Sequence, residues 1–201
     1  MIAKHQRTMG AARRKVERLL LALTFAGALL SGCGSQDPGN AVVEGDTEGI
    51  WVDVGPLDYH IQGSRQLNPA QVPDDRYLSG VPEGEAPTAD EIWFAVFLRI
   101  ENKTDKPALS AEEFEIEDTQ GKKFEPLEVD TEVNPFAYEP YELGVNEVMP
   151  HPDSVQEFNV NGAMLLFKLP LTTIADRPLQ FHIKAPPGQA EPADAEVDLD
   201  V

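Results

Sequence analysis

The sequence predicts an all-β chain built as two packed antiparallel sheets. From Ile50 onward apolar residues recur with period two, Pro and Gly punctuate the runs, and no helical periodicity of any length appears beyond the first 32 residues. Roughly eight or nine short strands joined by turns, with no intervening helices, make a sandwich; a closed barrel is the runner-up.

The elements are read in chain order. Residues 1–32 are an export leader: Lys4, Arg7, Arg13, Arg14, Lys15 and Arg18 are followed by the apolar run Leu19 to Leu30 and then by Ser31 and Gly32. An apolar helix of about 12 residues reaches about 18 Å, too short for a hydrocarbon core about 30 Å thick. The leader is therefore no lasting span. Leu30-Ser31-Gly32-Cys33 resembles the lipobox of bacterial lipoproteins, in which small residues expose the backbone to a signal peptidase and the Cys takes up lipid. The resemblance implies Cys33 as the lipid attachment site and as the first residue of the mature chain. It places the protein in the cell envelope, on the extracytoplasmic side of a bacterial membrane. Arg13-Arg14 hints at twin-arginine export, although the residues after the pair depart from that pattern. Residues 33–48 read as a flexible acidic tether, and residues 49–201 as one sandwich domain.

Within that domain Ile50, Val52 and Val54 alternate with Trp51 and Asp53, and Leu57, Tyr59 and Ile61 alternate with Asp58, His60 and Gln62. From Ile92 to Ile100 one face is wholly apolar, while the other passes from Trp93, Ala95 and Phe97 to Arg99 and Glu101. This is the expected central strand, buried on both sides at its start. Phe114 and Ile116 lead through Asp118-Thr119-Gln120-Gly121 into Lys122-Lys123-Phe124, a hairpin. Four further strand patterns follow at Phe158 and Val160, at Ala163 to Leu169, at Leu179 to Ile183, and at Val197 to Val201. The segment Pro186 to Asp194 is expected to be a polar link to the last of these.

Phe94 to Thr104, Phe114 to Gly121 and Leu165 to Pro170 together resemble a bacterial immunoglobulin-like, telokin-like lipoprotein domain of unassigned function. That family shows a strand ending in Asn plus a small polar residue, a DxxG hairpin and a late F-x-x-P strand. The likeness covers roughly Trp51 to Val201 and implies an immunoglobulin-like sandwich. This chain departs from the pattern in two long inserts, after Gln66 and after Glu125.

Charge excludes one class of partner. The chain carries 16 Lys+Arg against 35 Asp+Glu, a formal charge of −19, and without the leader 169 residues carry −24. Nucleic acid needs a basic surface that releases counterions, which this chain lacks. Nor does the sequence offer catalytic chemistry. Its serines beyond the leader lie in no nucleophile-elbow or lysine-dyad context, its one Cys is assigned to lipid, and His60, His151 and His182 are scattered. No cofactor is called for. Copper, suggested by Met149, His151 and Met164, is disfavoured by the turn and strand contexts of those residues. Calcium is an alternative on account of the many carboxylates, although no EF-hand loop exists.

The expected role is a non-catalytic, lipid-anchored interaction or binding module, with an envelope protein as partner; a small-ligand or divalent-metal carrier is the alternative. The candidate partner-binding residues lie in the inserts: Arg65, Asn68, Asp74, Asp75 and Tyr77 in the first, and Phe136 and Tyr138 in the second. The competing expectation is that these loops cap the sandwich, with the aromatics packed down and Arg65 paired to Asp74 or Asp75.

Overall fold

The computed structural model describes residues 41–158, 162–188 and 193–199, all within one compact unit, Pro38–Val201. The leader, Cys33, Val160 and Val201 lie outside the described residues.

Two five-stranded sheets form the body. The first runs in the order β1 (Ala41–Gly45), β12 (Ala193–Leu199), β11 (Leu179–Lys184), β6 (Glu113–Glu117), β7 (Lys123–Phe124). The second runs β10 (Ala163–Pro170), β4 (Glu91–Glu101), β3 (Leu57–Leu67), β2 (Trp51–Val54), with β9 (Val148–Met149) pairing the far end of β4. A two-stranded piece, β5 (Ala108–Leu109) with β8 (Glu142–Leu143), stands apart. Among the strands described, pairing is antiparallel except between β1 and β12, which run parallel from Ala41↔Ala193 to Gly45↔Val197; an isolated bridge, Ala137↔Met164, is also parallel.

The main core lies between the sheets. Phe94, Val96, Leu98 and Ile100 of β4 and Phe167 of β10 meet Phe114 and Ile116 of β6 and Phe181 and Ile183 of β11, all buried. Phe181 stacks on Phe114 at 5.8 Å and meets Phe167 edge-on at 6.4 Å, so one ring ties the two sheets together.

A second core covers the outer face of the second sheet, and it exists because β4 is apolar on both faces. Trp93, Ala95 and Phe97 would otherwise face water; they pack instead with Leu67, Tyr77, Phe136, Met164 and Leu166. A bulge in β3 makes this possible. Ile61 pairs with Leu98 but Gly63 pairs with Phe97, so one residue is skipped and the side-chain alternation inverts. Before the bulge odd-numbered residues enter the main core; after it Leu67 joins the second core.

Three readings of the sequence are corrected. Ala41–Gly45, expected to be tether, is the edge strand β1, and Glu48 anchors the following turn by accepting hydrogen bonds from the Ser64 amide (3.1 Å) and hydroxyl. Phe158 ends a four-residue helical turn, Val155–Phe158, rather than a strand. The first insert also contains a helical turn, α1 (Asp74–Tyr77), where no helix was expected.

Candidate functional site

The two inserts meet on the outer face of the second sheet, and their polar residues show how they are held. Beyond the bulge Arg65 lies over that face. Its guanidinium grips Asp74 with two hydrogen bonds, Nη2 to Oδ1 at 2.6 Å and Nη1 to Oδ2 at 3.0 Å. It also sits 5.8 Å from the ring centres of both Tyr77 and Phe97. Asp74 further accepts the Asn68 amide at 2.8 Å. Hydrogen bonding from Arg65 holds the Asp74 carboxyl below the usual carboxylate range, and the same bond raises Arg65.

Asn134 does the corresponding work in the second insert. It is wholly buried, donating from Nδ2 to the carbonyls of Tyr77 (2.8 Å) and Ser79 (3.0 Å) and accepting the Phe136 amide at Oδ1 (3.0 Å). One amide side chain thus bonds the inserts to each other. Tyr77 meets Phe136 edge-on at 4.9 Å, and the insert joins the sheet edge through Leu127 N–H to Leu166 C=O (2.7 Å) and Tyr138 N–H to Met164 C=O (2.8 Å).

The residues singled out from sequence therefore divide. Tyr77 and Phe136 are 1% and 6% exposed and belong to the second core, and Asp74 is buried beneath Arg65. Tyr138 packs against the main core, its hydroxyl donating to the Ala111 carbonyl at 2.6 Å, while Tyr59 accepts the Ala111 amide at 2.6 Å. Desolvation pushes both of these phenols above the ordinary tyrosine range, and Tyr141 is pushed up to about 12 for the same reason. Arg65, Asn68 and Asp75 retain access to solvent. Of the two acids next to one another in the first insert, Asp74 is the one that Arg65 holds.

Sequence reasoning missed a groove of about 480 Å³ on the opposite side of the second insert. It runs between β6 and the segment 125–140. Phe114, Leu127, Tyr138 and Leu165 supply its apolar surface, and Glu112, Glu113, Glu115, Glu125, Glu128 and Glu139 its acidic one, with Lys184 the one cation among the described residues that line it. The acidic doublet Glu112-Glu113 and the proline after Glu125 were its only signals in the sequence.

Titratable groups elsewhere are dispersed. His60 stacks on the exposed Trp51 at 4.8 Å, and Lys103 lies 4.8 Å over the same Trp51 ring and 2.5 Å from Asp58. His182 lies 3.4 Å from both Glu117 and Glu196. Met149 packs in the main core and Met164 in the second, so they do not face a common site. Among the described residues no three His, Cys, Asp or Glu side chains are grouped to hold a metal ion.

No protein-family model matches the chain, and no curated protein matches it. Among solved structures it is similar to the yjhA protein of Bacillus subtilis, with 12% identity and a TM-score of 0.50 over 77% of this chain and 99% of that one. At that identity the likeness is one of fold. More distant are a candidate lipoprotein of Bacillus subtilis, ycdA (10% identity, TM-score 0.46, over 75% of this chain and 38% of that one), and an uncharacterised β-sandwich protein of Clostridium difficile (10% identity, TM-score 0.41, over 79% and 96%).

Proposed function

We propose that the chain is a non-catalytic interaction module, an immunoglobulin-like sandwich held by lipid on Cys33 at the extracytoplasmic surface of a bacterial membrane. The anchor reading rests on the sequence order of basic leader, short apolar run, small residues and the one Cys of the chain. The interaction reading rests on the open groove beside β6, a concave surface in which apolar and acidic groups converge. Supporting it, described serines near the inserts are engaged structurally. Ser110 is buried, with its hydroxyl accepting the Tyr141 amide, and Ser79 donates to the Arg76 carbonyl.

Crosslinking on intact cells, followed by identification of captured neighbours, tests the module. A reproducible envelope protein is the expected result, and its absence in replicate experiments overturns the reading. For the anchor, Cys33→Ala is expected to move the protein from the detergent to the aqueous phase of a detergent separation. Unchanged partitioning refutes lipidation at Cys33.

A further inference from the structure

A cavity of about 410 Å³ lies where the second insert meets β9 and the helical turn Val155–Phe158. Backbone hydrogen bonds fix its walls. Tyr138 N–H donates to Met164 C=O and Met164 N–H to Phe136 C=O, both at 2.8 Å. Tyr141 is held by Ser110, whose amide donates to the Tyr141 carbonyl at 3.0 Å and whose hydroxyl oxygen accepts the Tyr141 amide at 3.1 Å. The Glu147 carbonyl accepts the Asn102 amide at 2.9 Å, and Gln156 closes the far side by donating from Nε2 to the Ala137 carbonyl at 3.2 Å. A site built in this way exists before anything enters it, so little ordering opposes binding.

The polar groups that line it are one-sided. The His151 Nδ1 lies 2.6 Å from the Pro152 carbonyl, which can only accept; Nδ1 therefore carries the hydrogen of the neutral imidazole, and Nε2 is left as a lone pair. Desolvation, and after it the neighbouring Glu147 carboxylate, keep the Tyr141 phenol protonated, so its hydrogen is already engaged and its oxygen is an acceptor. Glu147 accepts the Gly144 amide at 2.6 Å through Oε2, which leaves Oε1, and Glu139 makes no hydrogen bond or ion pair among the described residues. No Lys or Arg is among the described residues lining the cavity. Imidazole, phenol and two carboxylates thus offer acceptors and uncompensated negative charge, and the fitting occupant is a cation with hydrogens to donate.

Size separates the cations. A metal ion gathers its oxygen ligands within about 2.0–2.6 Å, and among the described residues no three His, Cys, Asp or Glu side chains are grouped to hold one. Groups too dispersed for one ion are still within reach of a molecule that carries several N–H donors on a carbon chain, and Met149, 3% exposed, supplies apolar wall for that chain. Tyr141 is one ring and no aromatic cage, so a quaternary ammonium without N–H groups gains little here.

We propose that this cavity binds a small organic ammonium ion, its N–H groups donating to Glu139, Glu147 and the His151 Nε2 lone pair and its carbon chain lying against Met149. This goes beyond the interaction reading above and does not depend on it.

The test is calorimetric titration of putrescine, a four-carbon diamine, into the full processed chain in non-ionic micelles and amine-free buffer. Binding is expected, with little or none for butanediol, which lacks the charge, for tetramethylammonium, which lacks the donors, and for calcium. Glu139 is exposed, so Glu139→Gln should leave the melting curve unchanged and weaken the diamine about tenfold or more, as loss of a charge-assisted hydrogen bond predicts. His151→Arg, also at an exposed position, sets a fixed positive charge at the cavity and should abolish binding. Glu125→Gln, an acid outside the cavity, should leave affinity unchanged, which separates the site from general attraction to a chain of formal charge −19. No binding at millimolar diamine, equal binding of tetramethylammonium or equal weakening by Glu125→Gln overturns the proposal, and calcium binding that depends on Glu139 overturns it in favour of a metal. Reproducible crosslinked partners together with no diamine binding would remove this inference and leave the interaction reading standing.

Discussion

Asn134→Ala is the sharpest test of how the inserts are built. The side chain makes three hydrogen bonds, two as donor to Tyr77 and Ser79 and one as acceptor from Phe136, and it is 0% exposed. Truncation removes these bonds from the Phe136 amide and the Tyr77 and Ser79 carbonyls. At about 1 kcal/mol net per bond the loss is about 3 kcal/mol. For a domain of this size that lowers the melting temperature by about 6 to 12 °C. The chain has two tryptophans; Trp93 lies in the second core and Trp51 is 40% exposed. In a Trp51→Phe background, Trp93 emission during urea unfolding therefore reports on this core directly. Asn134→Asp keeps the shape but cannot donate to the two carbonyls, and should cost at least as much as Ala at neutral pH. A loss below about 1 kcal/mol in both variants would refute the claim that this residue clamps the two inserts to each other.

Other expectations are briefer. Gly162→Ala should be among the most damaging single changes: its φ is +79°, and the new Cβ would meet the Leu98 carbonyl oxygen and lie 2.8 Å from the Leu98 carbonyl carbon. A melting curve showing no loss would contradict the packing of β4 against the start of β10. Asp74→Asn should destabilise at neutral pH through loss of the Arg65 pair. Because Asp74 is depressed in the fold, that contribution is present above the ordinary value of 3.8 and is lost as pH falls through the lower folded value, so the two unfolding curves should converge in acid. A gap that persists at low pH would rule out the charge pair as its source. Tyr59, Tyr138 and Tyr141 are all raised above 10, so each favours the fold below pH 10 and this support is lost as pH rises toward the folded values. Ultraviolet titration should find these three phenols still protonated in the native protein at about pH 10.5, and ionisation of all four tyrosines there would contradict their burial.

What the sequence disclosed, and what it hid, follows from the range of the interactions involved. The apolar run from Ile92 to Ile100 is a local and strong signal, because both sheet faces are declared by consecutive side chains, and β4 formed where it was expected. Asp118 and Gly121 likewise specify their own turn: the carboxylate accepts the Gln120 and Lys122 amides, and Gly121 takes a φ of +77°. The bulge after Ile61 was not legible, although Gly63 marks the place, because skipping a residue depends on what β4 presents opposite. That one skipped residue decides that Arg65 and Leu67 serve the second core. Strands β5, β8 and β9 have two residues each, too few to show a period. The groove was hidden for another reason: its walls come from 112–115 and 125–139, and only the crossing of the chain between sheets brings them together.

The parallel clasp of β1 on β12 bears on how the domain would carry load. Its five register pairs run in the same direction, and β1 begins the described domain while β12 closes it. Tension applied to the chain before Ala41 and after Leu199 draws the two strands in opposite senses along their common axis. All five pairings then share the strain at once, in shear, whereas an antiparallel terminal pair would unzip one bond after another. A body fastened at one end and tugged at the other would resist mechanical unravelling at its outermost seam.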